Sequence, residues 1–207
     1  MKQRIVFATT NEGKMDEIRQ IMSDSGFEII SMKEAGICID ADENGDSFEE
    51  NARIKAVCAA GLLPEDIVMA DDSGLEIDYL NKEPGIYSAR YLGEDTSYDI
   101  KNRVLLERLT GVEKERRTAR FVSAIAAAVP NEGVFVVRGA VEGYIGWEPA
   151  GTNGFGYDPI FYVDEYGCST AELTMGQKNA FSHRGNALRA MKELLAKKGI
   201  FKTTYAR

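Results

Sequence analysis

The chain has 207 residues, of which 44% are hydrophobic and 28% charged, with a net charge of −8, the balance of an ordinary soluble globular protein. The acidic balance argues against a nonspecific binder of nucleic acid or anionic membrane, and a phosphorylated ligand would need local Lys, Arg or metal charge. No segment reaches membrane-spanning length, Ile5-Val6-Phe7-Ala8 is too short for a signal-peptide core, and Cys38, Cys58 and Cys168 form no Cys-x-x-Cys pair, which predicts reduced thiols in a cytoplasmic protein.

The length suits one domain over 1–207, and no repeat, low-complexity tract or linker interrupts it. Arg4 to Thr9 predicts a buried strand that runs directly into Thr9-Thr10-Asn11-Glu12-Gly13-Lys14. Met15, Ile18, Ile21 and Met22 then recur at helical spacing, with Asn11 or Thr10 placed as the cap. A strand feeding a polar turn and a helix N-terminus makes a natural anion site, and Lys14 adds a full charge. The Walker A spacing is absent.

Glu28 to Ser31 predicts a second strand, followed by an irregular stretch in which Asp40, Asp42, Glu43 and Asp46 crowd together. Ser47-Phe48-Glu49-Glu50 fits a capping box, and the helix it opens should end near Gly61. Phe48, Ile54, Val57 and Cys58 are expected on or near its buried side, with Lys55 available to the other. A solvated loop is the bland explanation of the acid cluster. A carboxylate reaching a metal beside Asp72 is the functional one.

Ile67-Val68-Met69-Ala70 reads as a short buried strand ending in Asp71-Asp72-Ser73-Gly74, where Gly74 allows a turn. Carboxylates at a strand end are held firmly enough to bind a divalent cation or act as a general base. Alternation sends Asp71 and Asp72 to opposite faces, so one of them is expected to do the chemistry. Leu75 to Tyr79 alternates as a strand, and Pro84 to Ser88 is a turn. Ser97 to Leu109 carries a helical stripe of Ile100, Val104, Leu105 and Leu109.

Thr118 to Val129 and Gly133 to Ile145 are long alternating runs joined by Pro130-Asn131-Glu132-Gly133, a strong hairpin signal. The Gly151 to Pro159 stretch sets Phe155 and Tyr157 between glycines and suits either a surface loop or a base-stacking one. Met175 to Lys198 reads as one helix with Leu188, Met191, Leu194 and Leu195 buried. His183 is the only histidine, so a Ser-His-Asp triad or a histidine zinc cluster has little support; beside Arg184 it reads as a surface residue.

Taken in order, Thr9 to Lys14, Ser47 to Ala52 with Lys55, Ala70 to Gly74, Pro84 to Tyr91, Phe155 to Asp158 and Ser182 to Gly185 closely resemble the inosine triphosphate pyrophosphatase family. Two departures stand out: Thr10 replaces a common Gly, and Asp42 stands where a metal-binding Glu is usual, with Glu43 next to it. The resemblance implies an elongated α/β fold, a long mixed sheet flooring a cleft between two lobes, usually in a homodimer. It implies Mg²⁺-dependent hydrolysis of XTP, ITP and dITP to the monophosphate and pyrophosphate. By the same resemblance Asp72 is general base and metal ligand, helped by Asp42 or Glu43. Thr9, Thr10, Asn11, Glu12, Gly13, Lys14, Lys55 and Lys178 would hold the triphosphate, and Ser73 would contact substrate. Phe155, Gly156, Tyr157 and Asp158 with His183 and Arg184 would form the base pocket.

Overall fold

The computed structural model describes residues 4–39 and 41–201, so Asp40 of the acid cluster lies outside the described residues. The architecture is mixed α/β. A seven-stranded sheet runs in the order β2-β1-β3-β4-β5-β6-β7. Its members are β1 (Arg4–Phe7), β2 (Glu28–Ser31), β3 (Ile67–Ile77), β4 (Thr118–Val129), β5 (Gly133–Ile145), β6 (Phe161–Val163) and β7 (Cys168–Ser169). The helices are α1 (Glu12–Ile21), α2 (Phe48–Ala60), α3 (Tyr98–Arg108), α4 (Met175–Phe181) and α5 (His183–Lys197).

β1 lies between β2 and β3 and is parallel to both. Ile5, Val6 and Phe7 are completely buried, as expected of a parallel strand covered on both faces. Parallel neighbours need a crossover, and α1 supplies the one between β1 and β2. Asn11 caps α1 by accepting from the Lys14 N–H at 3.0 Å. The β4–β5 hairpin matches its predicted limits, and Asn131 at φ +62° makes the turn.

The chain divides into two compact units. Unit 1 comprises the described parts of Met1–Asp72, Ser123–Gly139 and Arg184–Arg207; unit 2 comprises Ser73–Val122 and Ala140–His183. The core of unit 1 joins Ile5, Phe7, Met15, Ile18, Met69, Ile125, Leu188, Met191 and Leu195. That of unit 2 joins Leu75, Ile77, Leu105, Phe121, Ile145, Tyr157 and Phe161.

Six local expectations are corrected. Gly74 makes no turn, since β3 continues through it to Ile77. Its apolar run on both sides of the carboxylates gives the sheet enough side-chain packing to outweigh one glycine. On α2 the buried stripe is Phe48, Asn51, Ala52, Ala56 and Ala59, while Val57 and Cys58 are exposed. Alanines let this helix pack closely, and larger apolar side chains are not needed at the contact. Ser47 does accept from the Glu50 N–H, but the Glu50 carboxylate turns to the Asp46 N–H, so the capping box is not reciprocal.

α3 buries Lys101, Asn102 and Leu105, with Ile100 exposed, so its inner face is more polar than its apolar stripe predicts. The predicted Met175–Lys198 helix is two helices broken at Ser182, whose ψ of 154° is extended. Residues 182–186 (Ser-His-Arg-Gly-Asn) carry no apolar side chain, so periodicity neither continues through the break nor marks it. His183 follows it, and it is buried rather than on the surface.

Candidate active site

Unit 1 assembles charges from four elements. Asp71 and Asp72 sit side by side near the middle of β3, and alternation does send them to different partners. The Asp71 carboxylate is fully buried. It lies 2.6 Å from Lys14 Nζ on α1 and 3.2 Å from Arg184 Nη2 on α5, and accepts from Ser123 Oγ on β4 at 2.6 Å. Arg184 Nη1 reaches the Glu17 carboxylate on α1. Burial alone would raise the Asp71 pKa, but Arg184 and Lys14 outweigh it and hold the carboxyl well below its ordinary range. Lys14 feels the converse: burial lowers its pKa, against the pull of Asp71.

Asp72 takes a different environment. Its Oδ1 accepts from Lys55 Nζ of α2 at 2.7 Å, and the same ammonium lies 3.3 Å from Glu43 Oε1. Its Oδ2 is buried with no hydrogen-bond partner among the described residues. Burial raises the Asp72 pKa despite Lys55, and neighbouring Glu43 adds to the rise. Lys55 is nevertheless pushed up, since Asp72 and Glu43 together overcome its own burial. A carboxylate kept dry, half-paired and easy to protonate has the properties of a base or a metal ligand.

Of the two alternatives Asp42 and Glu43, it is Glu43 whose carboxylate the structure brings to Lys55. Among the described residues, three cations (Lys14, Lys55, Arg184) meet four carboxylates (Glu17, Glu43, Asp71, Asp72) in this cluster. Among the described residues no group of three or more His, Cys, Asp or Glu could hold a metal by itself. The Thr9 to Gly13 turn stands at the α1 N-terminus, where Thr9 Oγ1 accepts from the Asn11 N–H at 3.2 Å. Thr10, Asn11 and Glu12 are exposed, and Ser73 is partly so.

Unit 2 gathers the aromatic loop around Asp158. This carboxylate accepts from the Phe155 N–H at 2.8 Å, Lys178 Nζ at 2.6 Å and Thr170 Oγ1 at 2.8 Å. The Lys178 ammonium also lies 5.1 Å from the centre of the Phe155 ring. Gly154 has φ +72°, and a Cβ there would fall 2.2 Å from Asp158 Oδ2, so only glycine closes the loop. Tyr157 is buried and donates to the Ser88 carbonyl at 2.7 Å. His183 stacks on Phe121, with ring centroids 4.9 Å apart and planes at 22°.

The expected residues thus fall in two groups. Lys14, Lys55, Glu43 and Asp72 come together in unit 1. Phe155, Asp158 and Lys178 come together in unit 2. Arg184, which the resemblance puts at the base, has its Nη atoms on Glu17 and Asp71 of unit 1. Sequence reasoning misses Asp71 as a hub, together with Ser123 and Glu17. The one available signal is polarity out of place: a hydroxyl inside the apolar run Phe121–Val129, and a carboxylate beside the apolar stripe of α1.

Comparison with known proteins places this geometry. A dITP/XTP pyrophosphatase of Bacillus licheniformis is 46% identical over 194 residues, covering 93% of this chain and 98% of the relative. One from Bacillus subtilis is 46% identical over 195 residues, covering 94% and 98%. The solved structure of the Staphylococcus aureus Ham1 protein superposes with a TM-score of 0.83 at 41% identity, over 95% of this chain and all of that one. A model of the Ham1 family matches residues 5–194, and the chain belongs to that family.

Proposed function

We propose that this protein hydrolyses the non-standard purine nucleoside triphosphates dITP, ITP and XTP to the nucleoside monophosphate and pyrophosphate, with Mg²⁺ as cofactor. The observation that carries the reading is Asp72, a buried strand carboxylate with Oδ1 on Lys55 and Oδ2 without a partner among the described residues. The names of the relatives from both Bacillus species support the substrate class.

The residues fit a divalent cation. Mg²⁺ is commonly held by one or two carboxylates, its other positions going to water and substrate phosphate, and Asp72 offers a carboxylate oxygen that is unmatched among the described residues. Asp72 with Glu43, or with Asp42, would hold it, and bound there it would neutralise charge on the phosphate oxygens. The chain's own groups do the remainder. Asp72 orients the attacking water and takes its proton, a task helped by the upward push of burial on its pKa. Lys14 and Lys55 supply fixed positive charge, and the turn from Thr9 to Gly13 offers backbone N–H groups at a helix N-terminus. No covalent nucleophile is required, because phosphoanhydride hydrolysis needs charge neutralisation and a placed water. Ser73, next to Asp72, would contact substrate.

Phe155, Gly156, Tyr157, Asp158 and Lys178 with His183 read the base. Hypoxanthine and xanthine carry an acceptor oxygen at position 6, where adenine carries a donor amine. Donors from His183 or loop N–H groups suit that oxygen; adenine would leave them unmatched at about 1–3 kcal/mol. The resulting preference over ATP is on the order of 10–150-fold. Guanine shares the oxygen, so its rejection must come from the loop near Gly154 to Asp158 denying an acceptor to the 2-amino group. The family likeness also supports a cytoplasmic homodimer, for which exposed Tyr87, Leu92 and Trp147 offer apolar surface. Pyrophosphate release with Mg²⁺ across ITP, XTP, GTP, ATP and UTP tests the reading. ITP and XTP should exceed both GTP and ATP, and comparable kcat/KM for ATP and ITP would refute it.

A further inference from the structure

The inner face of α3 carries two polar side chains that core stability does not account for. Lys101 is 1% exposed, yet among the described residues its ammonium meets the Ala89 carbonyl at 2.6 Å and the face of the Tyr98 ring at 4.8 Å, with no carboxylate. Asn102 is 4% exposed and donates through Nδ2 to the Gly156 carbonyl at 3.1 Å, while its Oδ1 is buried with no partner among the described residues. Because a carbonyl can only accept, this bond fixes which end of the amide is Nδ2. A buried amide with one end unmatched and a buried ammonium without a counter-ion both cost stability. A leucine or a methionine would fill the same places without that cost.

Both side chains hold backbone carbonyls of segments linked to the aromatic loop. Asn102 holds Gly156 directly. Lys101 holds Ala89, whose neighbour Ser88 gives its carbonyl to the Tyr157 hydroxyl at 2.7 Å. Tyr98, one turn before Lys101 and Asn102, meets Tyr157 edge-on with centroids 5.1 Å apart. Helix α3 therefore ties the loop at two successive residues, Gly156 and Tyr157, and every one of these contacts lies within unit 2.

We propose that Lys101 and Asn102 are positioning residues for base selection: α3 clamps the Phe155–Asp158 loop, and the purine preference depends on that clamp. This rests on the reading that the loop meets the base. Neither residue touches the substrate. Each acts by fixing where the carbonyls and rings of the loop stand.

The decisive variant is Asn102→Leu in the full chain, followed by two measurements. Amide hydrogen exchange at residues 155–157 should quicken about tenfold or more, the loss of roughly one hydrogen bond, with α3 itself still protected. Unchanged exchange overturns the clamp whatever the activity. Equilibrium binding and Mg²⁺-dependent turnover of ITP and ATP then test selection. KM for ITP should rise about tenfold with kcat changed less than about threefold, and the ITP-to-ATP preference should fall by a similar factor.

A loosened loop with an unaltered ITP-to-ATP ratio in binding overturns the role in selection. That binding ratio decides the matter even if the unmutated protein releases no pyrophosphate, a result that would sink the proposed activity instead. Should Asn102→Leu not fold, Lys101→Met answers the same questions, and Lys101→Arg, which keeps a donor, should restore the preference. Equal losses in Lys101→Met and Lys101→Arg would make Lys101 a purely structural residue.

Discussion

Unit 1 and unit 2 fix their candidate residues by different means. In unit 1 the partners are side chains of opposite charge on regular elements: Asp71 and Asp72 on β3, Lys14 and Glu17 on α1, Lys55 on α2, Arg184 on α5. In unit 2 several bonds run from a side chain to the backbone of a loop: Asp158 to the Phe155 N–H, Asn102 to the Gly156 carbonyl, Tyr157 to the Ser88 carbonyl. Paired charges in a dry setting fix position at high cost if one partner is lost. Loop bonds of the second kind cost little to loosen and leave shape adjustable. The first arrangement holds a charged cluster rigidly, whereas in the second the shape of a loop depends on each of several weak ties.

Three aspartates can be used to break this comparison, each replaced by the isosteric asparagine. The largest effect is expected at Asp72. Asp72→Asn should leave the fold intact, since Lys55 keeps Glu43, and should cost roughly 10²–10⁴-fold in turnover for lost acid–base work alone. A larger loss would fit a second role in holding the metal. Near-normal pyrophosphate release at saturating Mg²⁺ would remove Asp72 from the chemistry.

Asp71→Asn should reverse the pattern. It leaves Lys14 and Arg184 buried without their shared carboxylate, so the urea midpoint should report a loss of about 3–5 kcal/mol. Turnover measured well below the unfolding transition should fall less than in Asp72→Asn. A stability loss under ~1 kcal/mol would show that these charges do not hold the cluster together.

Asp78 offers the contrast within unit 2, where a charged cluster meets solvent. Burial would raise its pKa, but hydrogen bonds from Lys82, Thr118 and Arg120 prevail and lower it far below the ordinary value. A depressed folded pKa gives stability that is present above the unfolded value near 3.9 and is lost as pH falls toward the folded one. Asp78→Asn should therefore cost about 1 kcal/mol at pH 7, discounted for its partial exposure, and the gap should be narrower at about pH 3, where the unfolded carboxyl is largely protonated. Urea midpoints of both proteins at the two pH values measure it, and a gap independent of pH would rule out a charge effect.

What the sequence discloses here follows from the range of the forces involved. Strand and helix limits are set by neighbours along the chain, and β2, β4 and β5 fall where periodicity predicts. The caps at Asn11, Ser47 and Ser97 are equally local. Adjacent carboxylates after an apolar run draw attention to Asp72, but it takes the company of the other family motifs to give Asp72 and Lys55 their roles. Their partners could not be named. Asp71 meets Arg184 across more than a hundred residues of chain, and Ser123 across about half that distance, which no local pattern encodes. Ser182 and Gly74 show the opposite error: a helix breaks within a polar stretch where one long helix is expected, and a strand continues where glycine invites a turn. In both, contacts distant in sequence override a local preference.

The adjacency of Asp71 and Asp72 makes the roles of the two carboxylates a property of alignment. β3 is aligned on β1 with Ile5 opposite Ile67, Val6 opposite Val68 and Phe7 opposite Met69. A slip of one residue would put Asp72 where Asp71 stands and Ser73 where Asp72 stands, or Asp71 in the place of Asp72 and Ala70 in that of Asp71, so one of the two environments would lose its carboxylate. Both would still be aspartates on the same strand, so composition would hide the change. An inserted or deleted residue between α2 and β3 is thus harmless only if the Gly61–Asp66 connection absorbs it entirely. Sequence drift along this chain is consequently freer in kind than in number: residues before β3 can be exchanged more readily than they can be added or removed.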